Sequence, residues 1–207
     1  MQADCRLNEI ATLMHAGDYD TAVKVSGEYL AEADGVFTAI FNAKGDYADA
    51  ADATLRIGVA HADALFAASE YRAAFSLALM LMLQTSVADH ARHNAVEMLA
   101  LCVIALSSLQ QCVTQLAQDD FTKEHLMPIM RYLASLAFAY FKEVGKTDDE
   151  NATNWQRRAY MHLRNLLQLV EEGTIGVNGL QDNPLRPTQT VGDAIAHARA
   201  LELFDVD

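Results

Sequence analysis

From residue 4 to 15 the apolar positions Leu7, Ile10, Ala11, Leu13 and Met14 recur at the i, i+3, i+4 spacing of an amphipathic helix. A second stripe over residues 19–33 joins Tyr19, Ala22, Val23, Ser26, Tyr29 and Leu30, with Asp20, Lys24, Glu28 and Glu32 on the outer face. Gly17 and Gly35 are expected to end these two helices. Shifted by 52 residues, the pair returns. Leu7, Ile10, Leu13 and Met14 fall on Val59, Ala62, Leu65 and Phe66, and Tyr19, Ala22, Val23 and Leu30 fall on Tyr71, Ala74, Phe75 and Met82. The pattern is an internal repeat of a helical hairpin.

The junction inside each hairpin has its own grammar. Gly17-Asp18-Tyr19, Gly45-Asp46-Tyr47 and Ser69-Glu70-Tyr71 each place a turn residue before a tyrosine, with alanine three positions on at Ala22, Ala50 and Ala74. A small residue suits the sharp exit from one helix, and Asp18, Asp46 or Ser69 can accept amide hydrogens that open the next. Over residues 5–85 the chain resembles the tetratricopeptide-repeat family, whose antiparallel helix pairs carry a similar Gly-Asp-Tyr-x-x-Ala junction. That resemblance implies a right-handed superhelical stack of hairpins that binds peptides or proteins on its concave face. The tyrosines, however, are spaced by 28 and then 24 residues, short of the family period of about 34. One helix over residues 46–67 must therefore serve both the second and third junctions, leaving residues 36–43 as a short helix or turn.

Beyond residue 85 the expected helices lengthen into a bundle-like half. Residues 87–118 contain neither Gly nor Pro and read either as one long helix, bent at Ser107-Ser108, or as two joined there, with the single helix favoured. Asp119-Asp120 opens the next, over 121–144, where Pro128 removes one amide donor and predicts a kink or late start near His125. A polar linker at 145–151 precedes a helix over 152–172. An irregular stretch over 174–187 then leads to a final helix over 191–204 that caps the stack. The expected fold is all-α, a single helical domain over 1–207: hairpins over 1–86, long helices over 87–172, and a loop with a capping helix over 173–207.

Charge narrows the partners. The 207 residues carry 28 acids against 15 Lys and Arg, a formal charge of −13, which disfavours nucleic acid and anionic membrane surfaces. The most apolar stretches, 73–83 and 95–109, fall short of the ~20 residues a bilayer requires and read as core helices. With no basic, apolar leader and with Cys5, Cys102 and Cys112 outside any C-x-x-C spacing, a cytoplasmic protein with reduced thiols is expected.

Candidate chemistry is sparse. His90, His93 and Glu97 share a helical face and could hold a metal if His61, Asp63, His125 or His162 supplied a further ligand. No H-E-x-x-H or E-x-x-H motif supports a zinc or di-iron enzyme, and exposed surface histidines are the plainer identity. No G-x-S-x-G frames a nucleophile, and the glycines over 173–179 lack a G-K-[ST] ending, so they read as a loop. Ser107-Ser108 reads as back-bonding to the helix rather than chemistry.

Two surface features suggest partner binding. Asp46, Asp49 and Asp52 form an acidic ridge, which either attracts a basic partner or keeps an Ala- and Leu-rich protein soluble. Trp155 with Arg157 and Arg158 has the composition of an interface anchor, although a lone Trp near a helix start also serves as a staple. Five bases at Lys142, Lys146, Arg157, Arg158 and Arg164 oppose the acidic front and would allow self-association. The carboxylate-clamping subset of the family uses Lys, Arg and Asn at a spacing that Arg6, Lys24, Lys44, Arg56 and Arg72 do not reproduce. The expected function is thus a non-enzymatic, cofactor-free scaffold for a basic or apolar protein or peptide. The alternatives are a metal-binding bundle using His90 and His93, and a peptide or small-molecule sensor acting through a partner.

Overall fold

The computed structural model describes residues 2–87, 95–116, 120–145 and 150–171. They form seven α-helices and, among the described residues, no strand: α1 (Gln2–Ala16), α2 (Tyr19–Asn42), α3 (Ala48–Ala67), α4 (Tyr71–Val87), α5 (Ala95–Leu116), α6 (Asp120–Val144) and α7 (Glu150–Glu171). Each helix packs on the next in sequence. The odd-numbered helices also pack in a row, α1 on α3, α3 on α5 and α5 on α7.

The core is built around α5. From Met98 to Leu109 every side chain is buried, and the helix packs on α3, α4, α6 and α7. A helix apolar all round is either such a core or a membrane span. Residues 95–112 are long and apolar enough to cross a bilayer, and 72% of that window is buried inside the protein. Ser107 and Ser108 do not interrupt α5; Ser107 Oγ donates to the Val103 carbonyl at 2.7 Å, the back-bond expected of a serine inside a helix. Cys102 and Cys112 are buried in this helix, Cys5 is exposed, and none is in a disulfide.

The turn of the first hairpin recurs, with the same backbone bonds, 52 residues on. In the first turn Gly17 N–H donates to Met14 O (3.1 Å) and Asp18 N–H to Leu13 O (3.0 Å). Fifty-two residues on, Ser69 N–H donates to Phe66 O (3.0 Å) and Glu70 N–H to Leu65 O (2.9 Å). This crossed pair is the Schellman ending, and it needs a left-handed residue, supplied by Gly17 at φ 76° and Ser69 at φ 65°.

The second junction differs from its expected form by one residue. Gly45 aligns with Gly17 in sequence, yet the left-handed residue is Lys44 at φ 55°, with Lys44 N–H donating to Phe41 O and Gly45 N–H to Ile40 O. Tyr19 and Tyr71 therefore begin their helices, whereas Tyr47 stands one position before α3. A β-carbon in the left-handed region costs about 1 kcal/mol that glycine avoids. Lys44→Gly is expected to raise the unfolding free energy by about 1 kcal/mol in urea titrations, with an unchanged m-value. Gly45→Ala should bring no gain, since its Cβ would lie 3.2 Å from Ile40 Cγ2.

Other boundaries move too. Gly35 does not end α2, which runs on through residues 36–42 in place of a separate short element. An interior glycine weakens a helix by only about 1 kcal/mol, and Phe37 and Phe41 recover contacts by packing on Tyr47. α6 begins at Asp120, upstream of Pro128, so the late start is not observed. The expected loop and helix beyond residue 172 lie outside the described residues.

Candidate functional site

The row of odd helices encloses a cleft of about 460 Å³. From α1 it receives Leu7, Asn8, Ile10, Ala11, Met14 and His15; from α3, Arg56, Val59, Ala60 and Asp63. Val96 and Glu97 of α5 and Asn151 and Trp155 of α7 complete the wall. The amphipathic stripe of α1 explains this directly. Ile10 is driven into the core at 2% exposure, while Ala11 and Met14 beside it remain reachable from solvent. Eight apolar and six polar residues give the cleft a mixed wall.

Charge at the cleft is held in place by pairs. Arg158 Nη1 lies 2.9 Å from Asp63 Oδ1, and its guanidinium sits 4.2 Å from the centre of the Trp155 ring. Trp155 is buried in the core, so it staples α7 to the body and lines the cleft with its remaining edge. On the opposite wall Arg56 bonds Asp4 at 3.1 Å, tying α3 to α1 and holding the Asp4 carboxyl below its usual range. Two further contacts lock α1 onto α2, Arg6 to Glu32 at 2.7 Å and the Tyr29 hydroxyl to Glu9.

The sequence-predicted partner residues fall into two separate places. Asp46 and Asp49 are exposed at the start of α3, where Asp46 Oδ1 accepts from Ala48 N–H at 3.2 Å, and Asp52 is half-buried on the same helix. Trp155 and Arg158 meet the far end of α3 through Asp63, fourteen residues from Asp49 and thus about 21 Å along the helix. Arg157 points into solvent. The acidic ridge and the Trp-Arg cluster are not one surface.

His90 and His93 lie outside the described residues, as does the side chain of His125. Among the described residues no group of three His, Cys, Asp or Glu side chains converges as a metal site. The proposed supplementary ligands are engaged elsewhere: Asp63 with Arg158, His61 with Ser26 and His162 with Ser107.

Those two histidine contacts form a device that local sequence patterns do not reveal. Ser26 Oγ donates back to Ala22 O on α2, and His61 Nδ1 of α3 approaches the same oxygen at 2.8 Å. Ser107 repeats the arrangement on α5, bonding Val103 O and His162 Nε2 of α7, while His162 Nδ1 lies 3.2 Å from Gln110 Oε1. A neutral imidazole has one donor and one acceptor: with the Ser107 proton given to Val103 O, Nε2–H donates to Ser107 Oγ, and Nδ1 is left to accept from Gln110 with its amide turned to present the NH2 group. Burial lowers the His61 pKa; burial and then the Arg158 charge bring His162 down to about 4. Serine, histidine and glutamine here stand in the order of a nucleophile, its base and an orienting group. They lie outside the cleft, and Ser107 is 2% exposed in mid-helix. The arrangement clips helices together.

Set beside known protein families, curated proteins and solved structures, the chain matches none.

Proposed function

We propose that the chain is a non-catalytic scaffold that receives a peptide or protein segment in the cleft along α1, α3, α5 and α7. The supporting observation is the row itself: alternate helices line one concave wall, as the first helices of stacked hairpins do in a right-handed, tetratricopeptide-like superhelix. Leu7, Met14, Val59 and Trp155 offer apolar contact, while Asp63 is paired with Arg158 and Arg56 with Asp4, so it is the net charge of −13 that disfavours an anionic segment.

The test fills the cleft. Peptides selected from a randomised display library on the wild-type protein are measured against Ala11→Trp, which adds an indole to the open face of α1. Affinity for cleft peptides is expected to fall about tenfold or more, with a thermal midpoint within about 2 °C of wild type. Undiminished binding of every selected peptide to Ala11→Trp would refute the reading, as would selection of acidic sequences.

A further inference from the structure

The C-terminal third of α2 carries an aromatic surface that the cleft does not use. α1 has 15 residues and α2 has 24, and the two pack as a hairpin in which Arg6 meets Glu32. Arg6–Glu32 and Glu9–Tyr29 fix a register that sets Gln2 opposite Val36, so α2 runs past the start of α1 from Val36 to Asn42, about 9 Å. On this overhang Val36, Phe37, Ile40 and Phe41 occupy one continuous arc of the helix, at 100° per residue. Only part of that arc is covered. Phe37, Phe41 and Tyr47 form a mutual cluster with centroids 5.5–5.9 Å apart, yet Phe41 is 54% and Val36 50% exposed.

Three carboxylates lie within three residues of the rings in the sequence. Asp34, Asp46 and Asp49 are all exposed, against one nearby base, Lys44. That charge selects among possible occupants. A second copy would bring the same acidic rim and a net −13, and residues 172–207 carry six acids against two bases. Anionic lipid and nucleic acid meet the same repulsion.

We propose that this surface docks a basic amphipathic helix of another protein, with its apolar stripe on Phe41 and Val36 and its Lys or Arg residues on Asp34, Asp46 and Asp49. The helix-in-groove mode supplies the geometry: Val36 and Phe41 flank the half-buried Ile40 and Phe37 across an arc of about 140°, wide enough to receive one apolar stripe of a partner helix. The surface is independent of the cleft, since none of these residues lines it.

A display library of randomised amphipathic helices, selected on the wild-type protein and counter-selected on Phe41→Asp, tests the proposal. Enriched clones are expected to pair apolar residues at helical spacing with an excess of Lys and Arg, and to lose about tenfold in affinity on Phe41→Asp. The double substitution Asp46→Asn/Asp49→Asn leaves the rings intact, and the amide oxygen it places at position 46 can still accept from Ala48 N–H. It should weaken the same clones about threefold to tenfold, an effect that fades in high salt. Ala11→Trp should leave them unaffected, which separates failure here from failure of the cleft reading. No enrichment, acidic clones, or equal binding to Phe41→Asp would overturn the proposal. So would a wild-type dimer in sedimentation that Phe41→Asp dissolves, or rings already covered by residues 172–207, seen as binding that appears only when those residues are removed.

Discussion

Ile104→Ala is expected to lower the unfolding free energy by about 4 kcal/mol and the thermal midpoint by roughly 10–15 °C. The side chain is fully buried in the middle of α5, the helix on which α3, α4, α6 and α7 all pack. Truncation removes three carbons from contact and leaves a cavity that four helices at fixed spacing cannot close by moving one neighbour. A typical domain has about 5–15 kcal/mol in total, so the variant should also show increased ANS binding or loss of soluble yield. Met80→Ala on α4 is the matched control. Met80 is 46% exposed, and its truncation should change stability by about 0.5 kcal/mol or less. Equal effects of the two substitutions, followed by denaturant titration, would contradict a core centred on α5.

Much of this architecture was legible in the residues because it rests on local physics. The stripes of α1 and α3, the 52-residue repeat and the turns at Gly17 and Ser69 are statements about spacing within a few helical turns. Where the reading slipped, a strong local symbol was overruled by packing. Gly35 resembles a helix terminator, yet Phe37 and Phe41 gain more by continuing α2 toward Tyr47 than the glycine costs. Gly45 resembles the left-handed residue of its turn, yet the chain places Lys44 there, because Ile40 and Phe41 set where the last helical carbonyls fall.

The candidate site was less legible, for reasons of range. Trp155 could be singled out by type, but nothing local places it across a cleft from Leu7 and Met14. The Ser26–His61 and Ser107–His162 contacts join residues 35 and 55 positions apart. Their one local trace is a serine on an otherwise apolar face, Ser26 beside Ala22 and Ser107 beside Leu106, whose oxygen can still accept a bond from another helix after its proton goes to the carbonyl four residues back. His162, between Ala159 and Leu166 on the buried side of α7, is the matching half. The imidazole that made His61 and His162 candidates for a further metal ligand also suits a helix clip.

That clip makes the fold acid-sensitive above the range of ordinary carboxylates. His162 is held neutral with a pKa of about 4, against 6.5 for an unburied imidazole, so between those values the unfolded chain binds a proton that the folded chain refuses. Stability therefore rises with pH through this window: its contribution is fully present above pH 6.5 and is lost as pH falls toward 4. The shift corresponds to about 3 kcal/mol, approaching a slope of about 1.4 kcal/mol per pH unit in mid-window. His61 is displaced in the same direction by burial and adds to the slope. Asp4 acts in a different range. Its carboxyl is depressed by Arg56, so its contribution disappears only as pH falls below the usual carboxylate value of 3.8. His162→Gln keeps polar atoms facing Ser107 and Gln110 but cannot titrate. Urea titrations from about pH 7.5 to about pH 4.5 should show the wild type losing stability by an amount that His162→Gln reduces by most of one proton's worth. A wild-type profile that is flat over this interval, or one whose slope the substitution leaves unchanged, would mean that His162 takes up its proton in the folded protein as readily as in the unfolded chain and that burial between α5 and α7 does not govern its charge.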